Sequence, residues 1–334
     1  MSKEDNSQDI RKKLLRKPIE DSLQEVFSIP DLIDYYSRMG GFTATMIARA
    51  VDYLFQMLSD TDCKIIMSFT ANLVATGLRS VIADFISKGY VDVIITTGGT
   101  FDHDIARSIG GKYFQGTFEV DDRMLARLKI HRLGNVFIPY ENYGVLVEEF
   151  THALFEELYS EKRIWSPSEI AREVGKRIKD DNSILRKAYE MNVPVFAPGI
   201  VDSAFGMSIF TYNEKLSLQS RKEKIVIDVL SDMKKVSEII FSSKKLGGIV
   251  LGGGISKHHL IWWSQFKGGL SYAIYITTAP EWDGSLSGAK TREAITWGKI
   301  NPEAKHVTVY GDATVVFPLI VFCVTSRMRG KKRR

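Results

Sequence analysis

Six short runs of apolar, largely β-branched residues recur along the chain, and each ends in small or polar residues before a helical stretch begins. Ile65-Ile66-Met67 leads into Ser68-Phe69-Thr70-Ala71-Asn72, and Val91 to Ile95 leads into Thr96-Thr97-Gly98-Gly99. Val193 to Ala197 ends at Pro198-Gly199, and Gly248 to Leu251 ends at Gly252-Gly253-Gly254. Tyr272 to Ile276 ends at Thr277-Thr278-Ala279-Pro280, and His306 to Tyr310 at Gly311-Asp312. Strands this apolar on both faces need cover on both sides, which a parallel sheet between two layers of helices supplies. The alternation predicts a doubly wound, Rossmann-like α/β fold: a mostly parallel sheet, helices on both faces, and ligands at the carboxyl edge of the strands.

Pro30 to Asp60 carries helical periodicity punctuated at Gly40-Gly41, and Val145 to Lys162 sets Leu146, Phe150, Leu154 and Leu158 at helical spacing. Ser166-Pro167-Ser168-Glu169 is a helix start, expected to lead into Ile170 to Met191. Residues 1–30 read as a charged N-terminal helical arm, 31–326 as a single α/β domain and 327–334 as a basic tail. With 334 residues, 44% hydrophobic and 25% charged, the chain can bury a large core. Much of the net charge of +5 sits at the ends. Those ends would suit nucleic acid or an acidic partner, but no aromatics interleave the basic residues, so solvated tails are expected and no nucleic-acid partner. Cys63 and Cys323 lie far apart in apolar surroundings, as buried thiols in a reducing compartment do. Val315 to Val324 is too short to span a membrane and contains Pro318. A cytoplasmic protein without a membrane partner is the expectation.

The densest chemistry lies in Glu281 to Ile300, EWDGSLSGAKTREAITWGKI. Lys299 follows Trp297 by two positions. A lysine held against an indole and apolar neighbours is desolvated, its pKa falls, and a nucleophilic amine becomes accessible near neutral pH. The alternative for Lys299 is a surface lysine at the end of an element. The small residues at the strand ends would let a pyrophosphate reach backbone N–H groups, although Gly252-Gly253-Gly254-Ile255-Ser256-Lys257 is not GxGxxG and tight-turn glycines are the competing reading. His258-His259 would suit a metal, but adjacent helical side chains point different ways and no carboxylate–cysteine set accompanies them; no metal is expected, and His258 reads better as a proton shuttle.

Asp283-Gly284-Ser285 … Ser287-Gly288-Ala289, followed by Glu293-Ala294 … Trp297-Gly298-Lys299-Ile300, resembles the signature of deoxyhypusine synthases. Asn72-Leu73, Thr96-Thr97-Gly98-Gly99, Leu251-Gly252-Gly253-Gly254 with Lys257-His258-His259, and Val309-Tyr310-Gly311-Asp312-Ala313 resemble that family in the same order. The resemblance implies an NAD-dependent transferase that moves the aminobutyl group of spermidine through a covalent imine on Lys299 to a lysine of the translation initiation factor 5A precursor. It implies NAD contacts at Asn72, Thr97, Gly98, Gly99, Asp202, Gly253, Thr278, Ala279, Asp312 and Ala313, with Asp202 and Asp312 suited to ribose hydroxyls. It implies substrate contacts at Tyr275, Asp283, Gly284, Ser285, Glu293 and Trp297, His258 beside the substrate, and a homotetramer with active sites at a dimer interface.

Four positions depart from the family pattern. Leu286 stands where the family has an acid, Met207 where another carboxylate is usual, His103 in place of the second acid after the glycines, and Trp262 in place of an asparagine. Each lost partner of an ammonium is worth about 1–3 kcal/mol in a desolvated site. The departures point to a shorter, less cationic or guanidinium-bearing amine, or a homospermidine-forming variant of the chemistry; a non-catalytic NAD-binding paralogue is the third reading.

Overall fold

All six expected strands form one sheet. The computed structural model describes residues 15, 19, 26–219, 221 and 223–329, so most of the arm assigned to 1–30 and the last five residues of the tail lie outside the described residues. In chain order, α1 (Ile29–Arg38) and α2 (Phe42–Ser59) precede β1 (Cys63–Phe69), α3 (Leu78–Ser87), β2 (Val93–Ile95) and α4 (Gly98–Ser108). An excursion follows, with β3 (Phe114–Gln115), α5 (Asp122–Arg127), β4 (Ile130–Leu133), β5 (Val136–Pro139), α6 (Gly144–Leu158), β6 (Ile164–Trp165), α7 (Pro167–Arg177) and α8 (Ile184–Glu190). Then come β7 (Val195–Phe196), α9 (Ala204–Leu218), β8 (Val226–Ile227), α10 (Val229–Ser242), β9 (Lys245–Leu251) and α11 (Gly254–Ser264). β10 (Leu270–Thr277), α12 (Thr291–Thr296), β11 (Ile300–Tyr310) and α13 (Ala313–Arg327) complete the chain.

The sheet order is β11-β10-β9-β1-β2-β7, and every pairing is parallel. Strand order therefore reverses direction between β1 and β9, and the crevice at their carboxyl ends is where such a sheet accepts ligands. Alternation along β1 sends Ile65, Met67 and Phe69 into the core with α2, α3 and α13, while Ile66 faces Val250, Tyr275, Leu260 and Ile261 on the α11 side. Both faces are dry, as the apolar runs require.

The structure corrects two expectations and adds one element. The helix expected through Ile170 to Met191 is two helices. α7 opens with a capping box between Ser166 and Glu169, then ends where Ile178 turns extended (φ −73°, ψ 139°). Asp180 spends its carboxylate on Asn182 N (2.9 Å) and Arg79 Nη1 (2.7 Å), and Ser183 caps α8, so the local hydrogen bonds favour a turn over a continued helix. The excursion also holds an antiparallel sheet, β3-β5-β4, that no apolar run announced. Finally, Arg327 is no solvated tail residue. It ends α13 and bonds Asp52 (2.7 Å) and Asp34 (2.9 Å), with Met328 buried beyond it. α13 also holds the apolar run Val315 to Val324, of which Val316, Phe317, Ile320, Val321, Cys323 and Val324 are core while Val315 and Phe322 are exposed.

Candidate active site

Four turns meet at the carboxyl edge, and the glycines there are required by contact. A Cβ on Gly99 would lie 2.9 Å from Ala71 Cβ, and one on Gly98 would lie 2.6 Å from Ile200 O. Gly252, at φ +85°, sits against Thr70, and a Cβ on Gly253 would lie 2.1 Å from Ser287 Oγ. The turns after β1, β2, β7 and β9 thus touch, bringing Asn72, Thr97, Gly98, Gly99, Asp202 and Gly253 to one edge. The helical turn at Ala71–Ala75, α4 and α11 all begin there without a side-chain cap hydrogen bond. Uncapped donors beside small residues fit the pyrophosphate of a dinucleotide. Asn72 and Asp312 line a cavity of 670 Å³ together with Arg107 and Tyr113. Asp312 also caps α13 through Thr314 N (2.8 Å), which sets Ala313 as that helix's first residue. Thr278 and Ala279 follow β10, with Ala279 N donating to Thr277 Oγ1 (3.1 Å).

A second cavity, of 300 Å³, brings Lys299 together with His258, Trp262, Tyr275, Leu286, Glu293 and Trp297. Lys299 is 8% exposed, and its Nζ lies 5.2 Å from the Trp297 ring centre and 5.8 Å from that of Trp262. Its backbone is fixed independently: Lys299 N donates to Ala294 O (3.0 Å), and Lys299 O accepts from Leu270 N (3.1 Å) and Ser264 Oγ (2.8 Å). The Tyr275 hydroxyl is buried without a hydrogen-bond partner, and burial pushes its pKa up. The His258 ring stacks on Trp262 (5.6 Å, 22°); burial, and after it the charge of Lys299, holds its pKa below the usual value. His259 faces elsewhere. Its Nε2 accepts from Trp263 Nε1 (3.2 Å), and burial lowers its pKa to about 4, so it is neutral. Among the described residues, no group of three or more His, Cys, Asp or Glu side chains is placed to hold a metal ion.

Several candidates stand outside this cavity. Asp283, Gly284 and Ser285 are exposed and form the turn leading to Leu286, with Asp283 Oδ1 accepting from Ser285 N (2.7 Å). Of the four departures, Leu286 and Trp262 line the cavity, whereas His103 and Met207 do not. Met207 is exposed on α9. His103 is buried on α4, its Nδ1 2.9 Å from Tyr113 Oη, and burial lowers its pKa to about 4. Its neighbours Asp102 and Asp104 are helix anchors in this chain. Asp102 accepts from Ala204 N (3.0 Å) and Phe205 N (2.7 Å) at the start of α9; Asp104 accepts from Ile184 N (3.2 Å) and Leu185 N (2.8 Å) at the start of α8.

Lys257, Ile261 and Lys290 line the cavity without having been site candidates in the sequence, and Lys257 matters most. Lys257 is 1% exposed, its Nζ 4.4 Å from the Tyr275 ring centre, and it donates to Leu286 O (2.6 Å) and Ala289 O (2.8 Å). Burial brings its pKa down to about 8, against an opposing pull from Glu293. A signal existed: Lys257, Leu260, Ile261 and Ser264 share one helical stripe, and all are buried.

Comparison with known proteins gives the family. The sequence model of the family described as "DS: Deoxyhypusine synthase" matches residues 31–324. A probable deoxyhypusine synthase of Ignicoccus hospitalis is 55% identical over 311 residues, covering 93% of this chain and 96% of that protein. One from Sulfurisphaera tokodaii is 50% identical, covering 93% and 97%. In fold, the chain is similar to a solved Entamoeba histolytica structure named as a deoxyhypusine synthase candidate (TM-score 0.64, 21% identity, 92% and 96% coverage). With a family match over most of its length and relatives at about half identity, this chain belongs to the deoxyhypusine synthase family.

Proposed function

We propose that this hypusine-pathway family member is an NAD-dependent aminoalkyl transferase that moves the aminobutyl group of spermidine to a lysine of the translation initiation factor 5A precursor. The observation that carries the reading is the Lys299 amine, buried between two indoles in a cavity that also holds a carboxylate, a phenol and an imidazole. NAD would be held by Asn72, Thr97, Gly98, Gly99, Asp202, Gly253, Thr278, Ala279, Asp312 and Ala313, and when bound supplies a reversible hydride acceptor for the carbon beside the secondary amine.

The chain's own residues do the rest. Glu293 and the faces of Trp297 and Trp262 receive the cationic amine, by charge-assisted hydrogen bonding and cation–π attraction. The Tyr275 hydroxyl, with no protein partner, offers a hydrogen bond to a bound amine. Lys299 attacks the imine carbon, forming its own C–N bond as the departing diamine leaves with the electron pair of the old one. His258 takes the proton that Lys299 loses and returns it to the leaving amine; its low pKa leaves it unprotonated and ready for the first of these. An acceptor lysine then repeats the exchange and frees Lys299, and return of the stored hydride to the acceptor's imine carbon would leave a secondary amine with no net oxidation. A homotetramer with active sites at a dimer interface, and a place in the cytoplasm, belong to the same reading.

A second reading concerns the donor. Leu286 and Trp262 stand in the wall, where Lys257 and Lys299 face the carboxylate of Glu293 and Lys290 is paired with Glu281 (2.6 Å). That balance favours a donor with fewer positive charges in the same chemistry. The test is transfer itself. Incubated with NAD, labelled amine and the acceptor protein, the enzyme labels one acceptor lysine with spermidine under the first reading. Label only with monoamines or guanidinium amines supports the second, and no label with any amine overturns both.

A further inference from the structure

We propose that Lys257 is a positioning residue whose ammonium latches the Leu286–Ala289 segment over the Lys299 cavity, and so sets the enzyme's grip on its amine. This rests on the proposed amine site and adds to it a residue outside the reaction steps. Lys257 is among the largest fully buried side chains of the protein, and its described hydrogen bonds go to main-chain carbonyls of one segment, not to a carboxylate. A buried ammonium is costly to desolvate, and a methionine would fill the same space without that cost. What the charge adds is a strong pair of bonds to two carbonyls three residues apart.

The latched segment is a cavity wall. Leu286 and Ala289 both line it, and Glu293 follows within one helical turn of its end. Two further contacts hold the segment's other side: Thr277 Oγ1 donates to Ser287 O (3.0 Å), and Ser287 lies directly on the Gly253 backbone. Glu281 to Ser285, just outside the latch, is exposed, with Trp282 84% exposed. The segment's inner stretch is thus held by Lys257 and Thr277, while its exposed outer stretch is tied back only at the surface, where Glu281 pairs with Lys290 (2.6 Å). Lys257 joins it to α11, which carries His258 and Trp262, so one amine holds both walls of the cavity in register around Tyr275.

The test pairs Lys257→Met and Lys257→Arg in the full-length protein. Amide hydrogen exchange is followed over residues 284–290 and over the central strands, and steady-state transfer gives KM for the amine and kcat separately. The latch predicts that Lys257→Met accelerates exchange in 284–290 while β1 and β9 keep their protection. It also predicts a KM for the amine raised on the order of tenfold or more, with a smaller change in kcat. Lys257→Arg, which retains charge and donors, recovers much of both. Unchanged exchange in 284–290 in a folded Lys257→Met protein would overturn the latch, as would a fall in kcat at constant KM. Should the methionine variant lose strand protection throughout, Lys257→Gln, which keeps a donor, replaces it under the same criteria. Because exchange is read without amine or NAD, the latch can fail while the proposed function stands, and the reverse.

Discussion

Replacing Lys299 by alanine lowers aminoalkyl transfer on the order of 10³-fold or more, because the covalent step loses its only attacking atom. Lys299→Arg is equally inactive. A guanidinium keeps the positive charge between Trp262 and Trp297 but does not form the imine. The loss is chemical and not structural, since the three hydrogen bonds of residue 299 that tie it to Ala294, Leu270 and Ser264 are made by its backbone and survive truncation. Stability should change by roughly 1 kcal/mol, from packing of the lost stem. Single-turnover transfer of labelled amine and a urea titration read the two effects separately. A Lys299→Ala protein with unfolding unchanged and transfer within tenfold of the parent would remove the nucleophile from the account.

Arg79→Ala is expected to produce the largest loss of stability, about 3–5 kcal/mol. Arg79 is 3% exposed and makes four bonds: Nε to Asp104 Oδ1 (2.6 Å), Nη1 to Asp180 Oδ2 (2.7 Å), Nη2 to Asp104 O (3.3 Å) and Nη2 to Ser108 Oγ (2.7 Å). Its removal leaves the Asp104 carboxylate, fully buried, without its counter-charge. Asp104 in turn holds the start of α8 through Ser183 Oγ (2.7 Å) and two backbone N–H groups, so the cost spreads from α3 and α4 into the excursion. The exposed Lys244–Asp62 pair (2.9 Å) is the control, and Lys244→Ala should cost less than about 1 kcal/mol. Urea unfolding of both variants decides. Equal, small shifts would show that the buried guanidinium is not the joint between these helices.

The sheet was legible because strands buried on both faces leave uninterrupted apolar runs, and all six runs became its strands. Short exposed strands such as Phe114–Gln115 leave no such trace, so the antiparallel sheet was not foreseen. The break between α7 and α8 was hidden because it depends on Arg79, about a hundred residues earlier in the chain, reaching Asp180. Around the cavity, Lys299, Trp297, Glu293, Tyr275 and His258 fall together in space although the sequence spreads them over two strands' worth of chain. Asp102 and Asp104 show the limit of reading acids from a motif. They flank His103 just after the glycines, but helices α8 and α9 start against them and take their oxygens. Lys257 was passed over because a lysine next to two histidines draws the eye to the imidazoles, whereas its partners are carbonyls some thirty residues away.

The central claim is that Lys299 carries the transferred fragment, and borohydride trapping tests it most directly. The protein is incubated with NAD and radiolabelled amine without acceptor, reduced, digested and mapped. A reduced adduct on the peptide containing Lys299, absent without NAD and absent in Lys299→Ala, is the predicted result. Label on another lysine, or undiminished label in the Lys299→Ala protein, would contradict it.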